Sequence, residues 1–379
     1  MIRLAVVNSN FVSINRNTKK GTEIFDYILI KQLAKYARRY NLHITAFASG
    51  DSRLPVKIES VNYKSSIEDK EIGIKHHKTF EIALVSKALA MQDQFDIYHV
   101  NIGNGDIVLP FAPFMKKPIL VTMHGSFLEE KYNKKYLALF KNLKNIYFVS
   151  ISNVQRQPLP NLNYVDTIYH GIDAKRAWKF NSVGGDRIIW AGRAIREKGI
   201  NDLIRIIKKV NKPSFIFPLI KEESPRLIKQ LTEGTCQPIP LLTVSKEVRR
   251  HNLGIEFQKS KLFLFPVHWE EPFGLVLIEA MASGTPIVAY GRGSVPEIVQ
   301  DGVTGYVVNP SPDEIKGDFI IKKTGMDGLC EAIERIYAMP VWEYCQMRQL
   351  CRERVEKYFT MQQMTKKYIE TYKKVIAKI

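Results

Sequence analysis

Hydrophobic and polar positions follow two alternating rhythms along the chain. Short runs rich in β-branched and aromatic residues, at 2–7, 43–48, 97–100, 119–123 and 146–151, read as buried strands. Between the first two, residues 23–40 repeat their apolar positions at helical spacing, through Ile24, Tyr27, Ile28, Leu33, Ala34 and Ala37. Strand, helix, strand at this rhythm predicts a parallel sheet with helices on its faces. A second series starts near Asp186, with strands at 188–191, 214–218, 261–266 and 286–290 and helices at 201–210 and 274–282. Between the series, 173–186 is basic and then polar, and its run Asn181-Ser182-Val183-Gly184-Gly185 reads as a hinge. The pattern predicts an α/β chain of two doubly wound domains facing across a cleft. The divisions are 1–178, 179–355 and a Lys/Tyr-rich helix at 356–379, for which a return to the first domain is left open. Ligands of such sheets sit at the carboxyl ends of the strands.

Composition adds exclusions. The 379 residues are 45% hydrophobic and 25% charged, which sets aside disorder, collagen and simple repeats. The opening apolar run is too short for a secretory signal, and no run is long enough to span a bilayer. The four cysteines, Cys236, Cys330, Cys345 and Cys351, form no CxxC and are expected as reduced thiols in a cytoplasmic protein. Lys and Arg number 56 against 38 Asp and Glu, a net charge of +18. That excess favours an anionic partner without choosing among nucleic acid, phospholipid and a phosphorylated substrate.

Two segments carry candidate chemistry. The first runs from Glu271 through Pro272, Phe273, Gly274, Leu275 and Glu279 to Pro286. A strand ends just before it, and Pro272 and Gly274 stand where a helix starts. Such a helix start aims free N–H groups and a positive dipole end at a phosphate. Glu271 and Glu279 would hold vicinal hydroxyls of a bound sugar or ribose. A helix start with a favourable acid and a solvated Glu is the competing reading. The second segment is Trp190-Ala191-Gly192-Arg193-Ala194-Ile195-Arg196-Glu197-Lys198-Gly199. Arg193 can grip phosphate bidentately and Lys198 adds a point charge. Here the alternative is a solvated basic loop. Neither GxGxxG nor a Walker A pattern occurs.

In combination these segments resemble family 4 glycosyltransferases of the GT-B fold. The motifs are Glu271 to Glu279 as Glu-x7-Glu, the Gly192-Arg193…Glu197-Lys198-Gly199 run, Gly291-Arg292-Gly293-Ser294-Val295-Pro296-Glu297, and Asp301-Gly302-Val303-Thr304-Gly305. In the first half, Gly21-Thr22-Glu23, Met123-His124-Gly125, Gln155-Arg156 and Tyr169-His170-Gly171-Ile172-Asp173 agree. The wording around Trp269-Glu270-Glu271 is similar to the bacterial branch that includes an avilamycin-pathway sugar transferase. The resemblance covers most of 1–310. It implies two Rossmann-like domains, an acceptor side in 1–178 and a nucleotide-sugar side in 179–355.

Carried over residue by residue, the resemblance makes Arg193 and Lys198 the donor-diphosphate cations. Glu279 holds the ribose hydroxyls. Glu271 contacts the donor sugar, with backbone N–H groups of Phe273, Gly274 and Leu275 nearby. His124 stands beside the anomeric centre, and Gly21 lets the first loop approach phosphate. The chain departs from the family where Lys20 precedes Gly21. It departs again through 214–260, where Pro218 and Lys221 replace a glycine-rich strand end near the expected base site.

The implied activity is retaining transfer of a hexose-like sugar from a nucleotide-diphosphate sugar, UDP favoured, to a hydroxyl of a glycan, lipid-linked or small-molecule acceptor. A GT-B phosphorylase or nucleotide-sugar hydrolase is the nearest alternative. A nucleic-acid-binding protein is a remote one, lacking a basic stripe with stacking aromatics. Cofactor and metal are expected to be absent, since Asp-x-Asp does not occur and cations can stabilise the leaving diphosphate. The basic stretch 131–144 has two readings: an apolar face packed on the sheet with solvated lysines, or peripheral docking on an anionic membrane.

Overall fold

The computed structural model describes residues 1–18, 20–126, 131–218, 241–245 and 250–378. It divides into two compact units, Met1–Gly171 with Met361–Ile379, and Ile172–Thr360. In the first unit, strands β1 (Ile2–Val7), β2 (Leu42–Phe47), β3 (Lys57–Glu59), β4 (Ile97–Val100), β5 (Ile119–Met123), β6 (Ile146–Ser150) and β7 (Tyr164–Thr167) form one parallel sheet. Their order is β3-β2-β1-β4-β5-β6-β7. Its helices are α1 (Gly21–Tyr40), α2 (Gly73–Ala90) and α3 (Lys131–Ala138). The period-two alternation feeds both faces. Leu4 and Val6 join Phe25, Leu29 and Leu33 of α1 in one core. Ala5 and Val7 join Leu84, Val85 and Ala88 of α2 in the other.

The second unit has a six-stranded parallel sheet of β8 (Arg187–Gly192), β9 (Ser214–Pro218), β10 (Leu242–Val244), β11 (Ser260–Phe265), β12 (Ile287–Tyr290) and β13 (Gly305–Val308). Their order is β10-β9-β8-β11-β12-β13. Helices α4 (Ile200–Val210), α5 (Arg250–Gln258), α6 (Leu275–Ala282), α7 (Val295–Ile298), α8 (Gly325–Ala338) and α9 (Val341–Tyr358) accompany it. Ile188 and Trp190 of β8 pack with Leu203, Ile204 and Ile207 of α4 and Leu329 and Ile333 of α8. Both units are therefore Rossmann-like, and the chain is α/β as expected.

Several elements escaped the hydrophobic pattern. Helix α2 carries Lys75-His76-His77-Lys78 near its start, and its buried positions begin only at Glu81. Strand β3 is an edge of three residues, none fully buried. Short edge strands and half-exposed helices leave weak periodic signals.

The expected helix at 356–379 is two helices. Helix α9 stops at Tyr358 and α10 (Met361–Ile376) begins three residues later. At the break, the Phe359 carbonyl accepts the Ile172 N–H at 2.9 Å, and Thr360 bridges to Ile172. Helix α10 belongs to the first unit. It adds Met364, Tyr368, Ile369, Tyr372 and Val375 to the α1 core.

The expected hinge at 173–186 is also corrected. It lies inside the second unit and is tied down there. Asn181 donates its N–H to Ser283 O at 3.2 Å and its side-chain amide to Gln258 O at 2.9 Å. A Cβ on Gly185 would stand 1.9 Å from Lys259 O. The glycine serves a close backbone approach here, not flexibility. No helix among the described residues is long and apolar enough to cross a membrane.

Candidate functional site

In the second unit, chain order reverses between β8 and β11, which lie side by side. The carboxyl ends of two such strands open a crevice. The loop leaving β8 closes in a 3-10 turn at Arg196–Lys198 before α4. Gly199 follows at φ 75°, and a Cβ there would lie 1.7 Å from Pro266 O at the end of β11. The His268 N–H donates to Glu197 O at 2.9 Å. Glycine thus lets the two loops touch, and the touching brings two predicted site residues together.

Lys198 Nζ donates to Glu271 Oε2 at 2.6 Å. The same oxygen accepts Trp269 Nε1–H at 3.0 Å, and the ammonium lies 4.3 Å from the Trp269 ring centroid. The Lys198 and Glu271 side chains are 14% and 10% exposed. A charge-assisted bond this sheltered from solvent fixes both groups. Arg193 leaves the end of β8 on the same loop, with an exposed side chain. Its backbone carbonyl accepts the Ile195 N–H at 2.8 Å.

Helix α6 begins at Leu275, after Gly274 at φ 83°. The Leu277 N–H donates to Gly274 O at 3.0 Å, and a helix start of this kind presents a positive end. Phe273 is buried, its ring 5.9 Å from that of Phe359, and its carbonyl accepts the Ser294 hydroxyl at 2.8 Å. Glu279 sits in the second turn of α6 and is buried.

Glu270, the neighbour of Glu271, has its own set of partners. Its Oε1 accepts Lys316 Nζ at 2.7 Å and Arg292 Nη1 at 3.4 Å, and its Oε2 accepts the Gly293 N–H. Arg292 grips Glu314 with both terminal nitrogens, Nη1 at 2.9 Å, and Lys316 also pairs with Glu314 at 3.1 Å. The loops after β11, β12 and β13 are thereby stapled together. A Cβ on Gly293 would lie 2.2 Å from Glu271 O, which shows how tightly two of them abut. Sequence reading had Glu270 and Arg292 only as motif members without a site role and passed over Glu314 and Lys316; the consecutive pair Glu270-Glu271 was the available signal.

Gly21 and His124 lie in the first unit. Gly21 opens α1, is exposed, and among the described residues nothing stands within 4 Å of where its Cβ would be. His124 ends β5, its N–H donating to Gly103 O at 3.1 Å. Its ring stands edge-on to Phe25 at 4.8 Å and stacks on His170 at 5.5 Å. Burial holds His124 down at about 3, so its imidazole is neutral near pH 7. Its Nε2 is buried without a hydrogen bond among the described residues. Close by on α1, Asp26 is wholly buried, and both its oxygens lack hydrogen bonds by distance and angle among the described residues. Burial and the adjacent Glu23 push its carboxyl well above the usual range, against a smaller opposing effect of the Asn101 amide. Asp26 too was missed by sequence reading; a lone acid on a helix gives no sign of burial.

The structure gathers Arg193, Lys198, Glu271, Phe273, Gly274, Leu275 and Glu279 in one unit around the ends of β8 and β11. Lys221, expected near the base site, lies outside the described residues, as do the side chains of 131–133 in the basic stretch. Residues 173–323 match the model of the family described as Glycosyl transferases group 1. The chain carries a group 1 glycosyltransferase domain. That domain holds the Lys198–Glu271 pair and the whole Glu270 network.

Among curated relatives, the chain is 23% identical over 335 residues to N-acetyl-alpha-D-glucosaminyl L-malate synthase of Bacillus anthracis, covering 81% of this chain and 84% of that one. The chain spans less than half the length of the first curated relatives it matches, 46% and 39%. Among solved structures, sucrose-phosphate synthase from Thermosynechococcus elongatus superposes with a TM-score of 0.75 at 17% identity, covering all of both chains. The HepE protein of Anabaena, solved in complex with UDP-glucose, gives a TM-score of 0.71 at 14% identity, covering 99% of this chain and 100% of that one. These likenesses show the GT-B type of fold around the group 1 domain.

Proposed function

We propose that this protein is a retaining, metal-independent glycosyltransferase of family 4, close to the branch with the avilamycin-pathway enzyme. It moves a hexose-like sugar from a UDP-sugar to a hydroxyl of a glycan, lipid-linked or small-molecule acceptor. The observation that carries the reading is the Lys198–Glu271 pair at the touching ends of β8 and β11. A cation and a carboxylate preset at a topological switch point suit the two ends of a sugar diphosphate. The complex of the Anabaena protein with UDP-glucose supports the choice of donor.

When donor arrives, Lys198 exchanges the Glu271 carboxylate for the diphosphate, and Glu271 is released to accept sugar hydroxyls. Arg193 adds a second cation from the exposed loop. The bond from the anomeric carbon to the diphosphate oxygen breaks. The acceptor oxygen bonds to the same face, and its proton passes to the departing phosphate. Lys198, Arg193 and the N–H groups at the start of α6 absorb the leaving charge, and neutral His124 offers a polar contact rather than a nucleophile.

Lys198→Ala is expected to lower kcat on UDP-glucose about 100-fold, a typical cost of one preorganised charge contact. Turnover at the parent rate would remove the leaving-group role. Activity should persist in EDTA; loss restored by magnesium would refute metal independence.

Peripheral contact with an anionic membrane is a second reading. Phe114 and Leu139 are 80% and 75% exposed, and Lys116, Lys135, Lys141 and Lys144 beside them in the chain are exposed too.

A further inference from the structure

Adjacent carboxylates at 270 and 271 engage opposite sides of one loop. Glu271 reaches toward the β8 loop and takes Lys198 at 2.6 Å. Glu270 reaches the other way, to Arg292 after β12 and Lys316 after β13. Neighbouring residues in an extended loop point their side chains apart, so one dipeptide can be anchored from both sides. On the Glu270 side the partners include two cations and one N–H, and Glu314 closes the square.

The two anchors differ in permanence. If Lys198 leaves Glu271 for a diphosphate, the carboxylate loses its cation at the moment it must hold a sugar hydroxyl. Trp269 Nε1–H remains on Glu271, but it springs from the same loop and fixes nothing outside it. The groups that then hold the loop in register come from the β12 and β13 loops: Gly293 N–H and Arg292 on Glu270, the Ser294 N–H on Glu271 O at 2.9 Å, and Lys316 on Glu270. We propose that Glu270 is a positioning residue, whose ion network with Arg292 and Lys316 keeps Glu271 aimed at the donor sugar once Lys198 has turned to the diphosphate. This rests on the donor reading above.

The consequence is selective. Nucleoside diphosphate binding uses Lys198, Arg193 and the start of α6, and does not need Glu271 aimed. Sugar recognition does. A side chain of purely structural importance would instead weaken both together and lower stability. Buried ion networks often contribute little net stability when replaced whole, which leaves room for a role in aim.

The test is calorimetric titration of the full-length protein with UDP and with UDP-glucose. The parent is compared with Glu270→Gln and with Lys316→Met, the latter a milder change at a side chain 30% exposed. Both variants are expected to bind UDP within twofold of the parent and UDP-glucose at least tenfold more weakly. Added to Glu271→Gln, Glu270→Gln should cost nothing further. Equal weakening of UDP and UDP-glucose, unchanged binding of both, or additive losses in the double variant would each overturn the positioning role and leave the donor reading standing. If Glu270→Gln fails to fold, Lys316→Met decides alone. A parent that binds neither UDP nor UDP-glucose would overturn the donor reading and this inference with it.

Discussion

Asp26 shows what one side chain can do to the pH dependence of stability. Its carboxyl is buried at the heart of α1 and pushed well above its ordinary 3.8. A group whose native form holds its proton more tightly than the unfolded chain costs nothing at low pH. It destabilises as pH rises from about 4 through the native titration, because only the unfolded chain then gains by ionising. Asp26→Asn keeps the shape and removes the proton. It should raise urea-unfolding stability at pH 8 by about 1–3 kcal/mol and leave it unchanged at pH 3. A gain at both pH values would mean that packing, not ionisation, is at fault. His99 and His124 work in the other direction. Both are held near 3 by burial, from 6.5, so stability they contribute is lost as pH falls from about 6.5 toward 3. Residue identity alone revealed none of this. A sequence does show that Lys198 and Glu271 are a basic and an acidic residue at strand ends. It does not show that the two loops pack so closely at Gly199 that a Cβ there would lie 1.7 Å from Pro266 O, a packing that sets the pair within a hydrogen bond.

At the scale of elements, the helix α10 is the instructive case. Its Lys/Tyr-rich sequence reads as a helix, with a return to the first domain left open. In the structure Tyr372 and Tyr368 are fully buried. Tyr372 OH shares a 2.7 Å hydrogen bond with His99 Nδ1, whose Nε2 shares another with Thr122 Oγ1, which in turn meets Tyr368 OH at 3.0 Å. Two hydroxyls on one helix face thus satisfy polar groups of β4 and β5 inside an apolar core. Tyr372→Phe keeps the ring and strands the imidazole nitrogen. It should cost about 1–3 kcal/mol in urea unfolding, the usual penalty for an orphaned buried polar group. A cost below about 0.5 kcal/mol would show that the bond is dispensable. The same lesson explains the elements missed in sequence. Strands buried on both faces announce themselves as apolar runs, whereas α2 and β3 are half exposed and therefore faint.

For the whole molecule, the net charge of +18 makes association with anionic surfaces a matter of where the charge sits. Around the protruding Phe114 and Leu139, exposed lysines flank apolar side chains, the pairing that interfacial binding uses. Phe114→Asp combined with Lys141→Glu and Lys144→Glu is expected to abolish co-sedimentation with vesicles containing anionic phosphatidylglycerol. The parent should bind those vesicles at low salt and ignore pure phosphatidylcholine. Parent protein that stays in the supernatant with both vesicle types would discard the membrane reading. Duplex DNA competing the parent off the vesicles would point instead to a general polyanion surface.

Two doubly wound sheets, most of their strands and the kinds of residue at the strand ends were determined by the chain's own pattern, because apolar periodicity is a local property of a polymer in water. The tie between the ends of β8 and β11, the fourfold charge staple of Glu270, the burial of Asp26 and the path of α10 came only with the folded structure. Each of those depends on the distance between residues far apart in the chain, and on how much solvent packing has removed from around them.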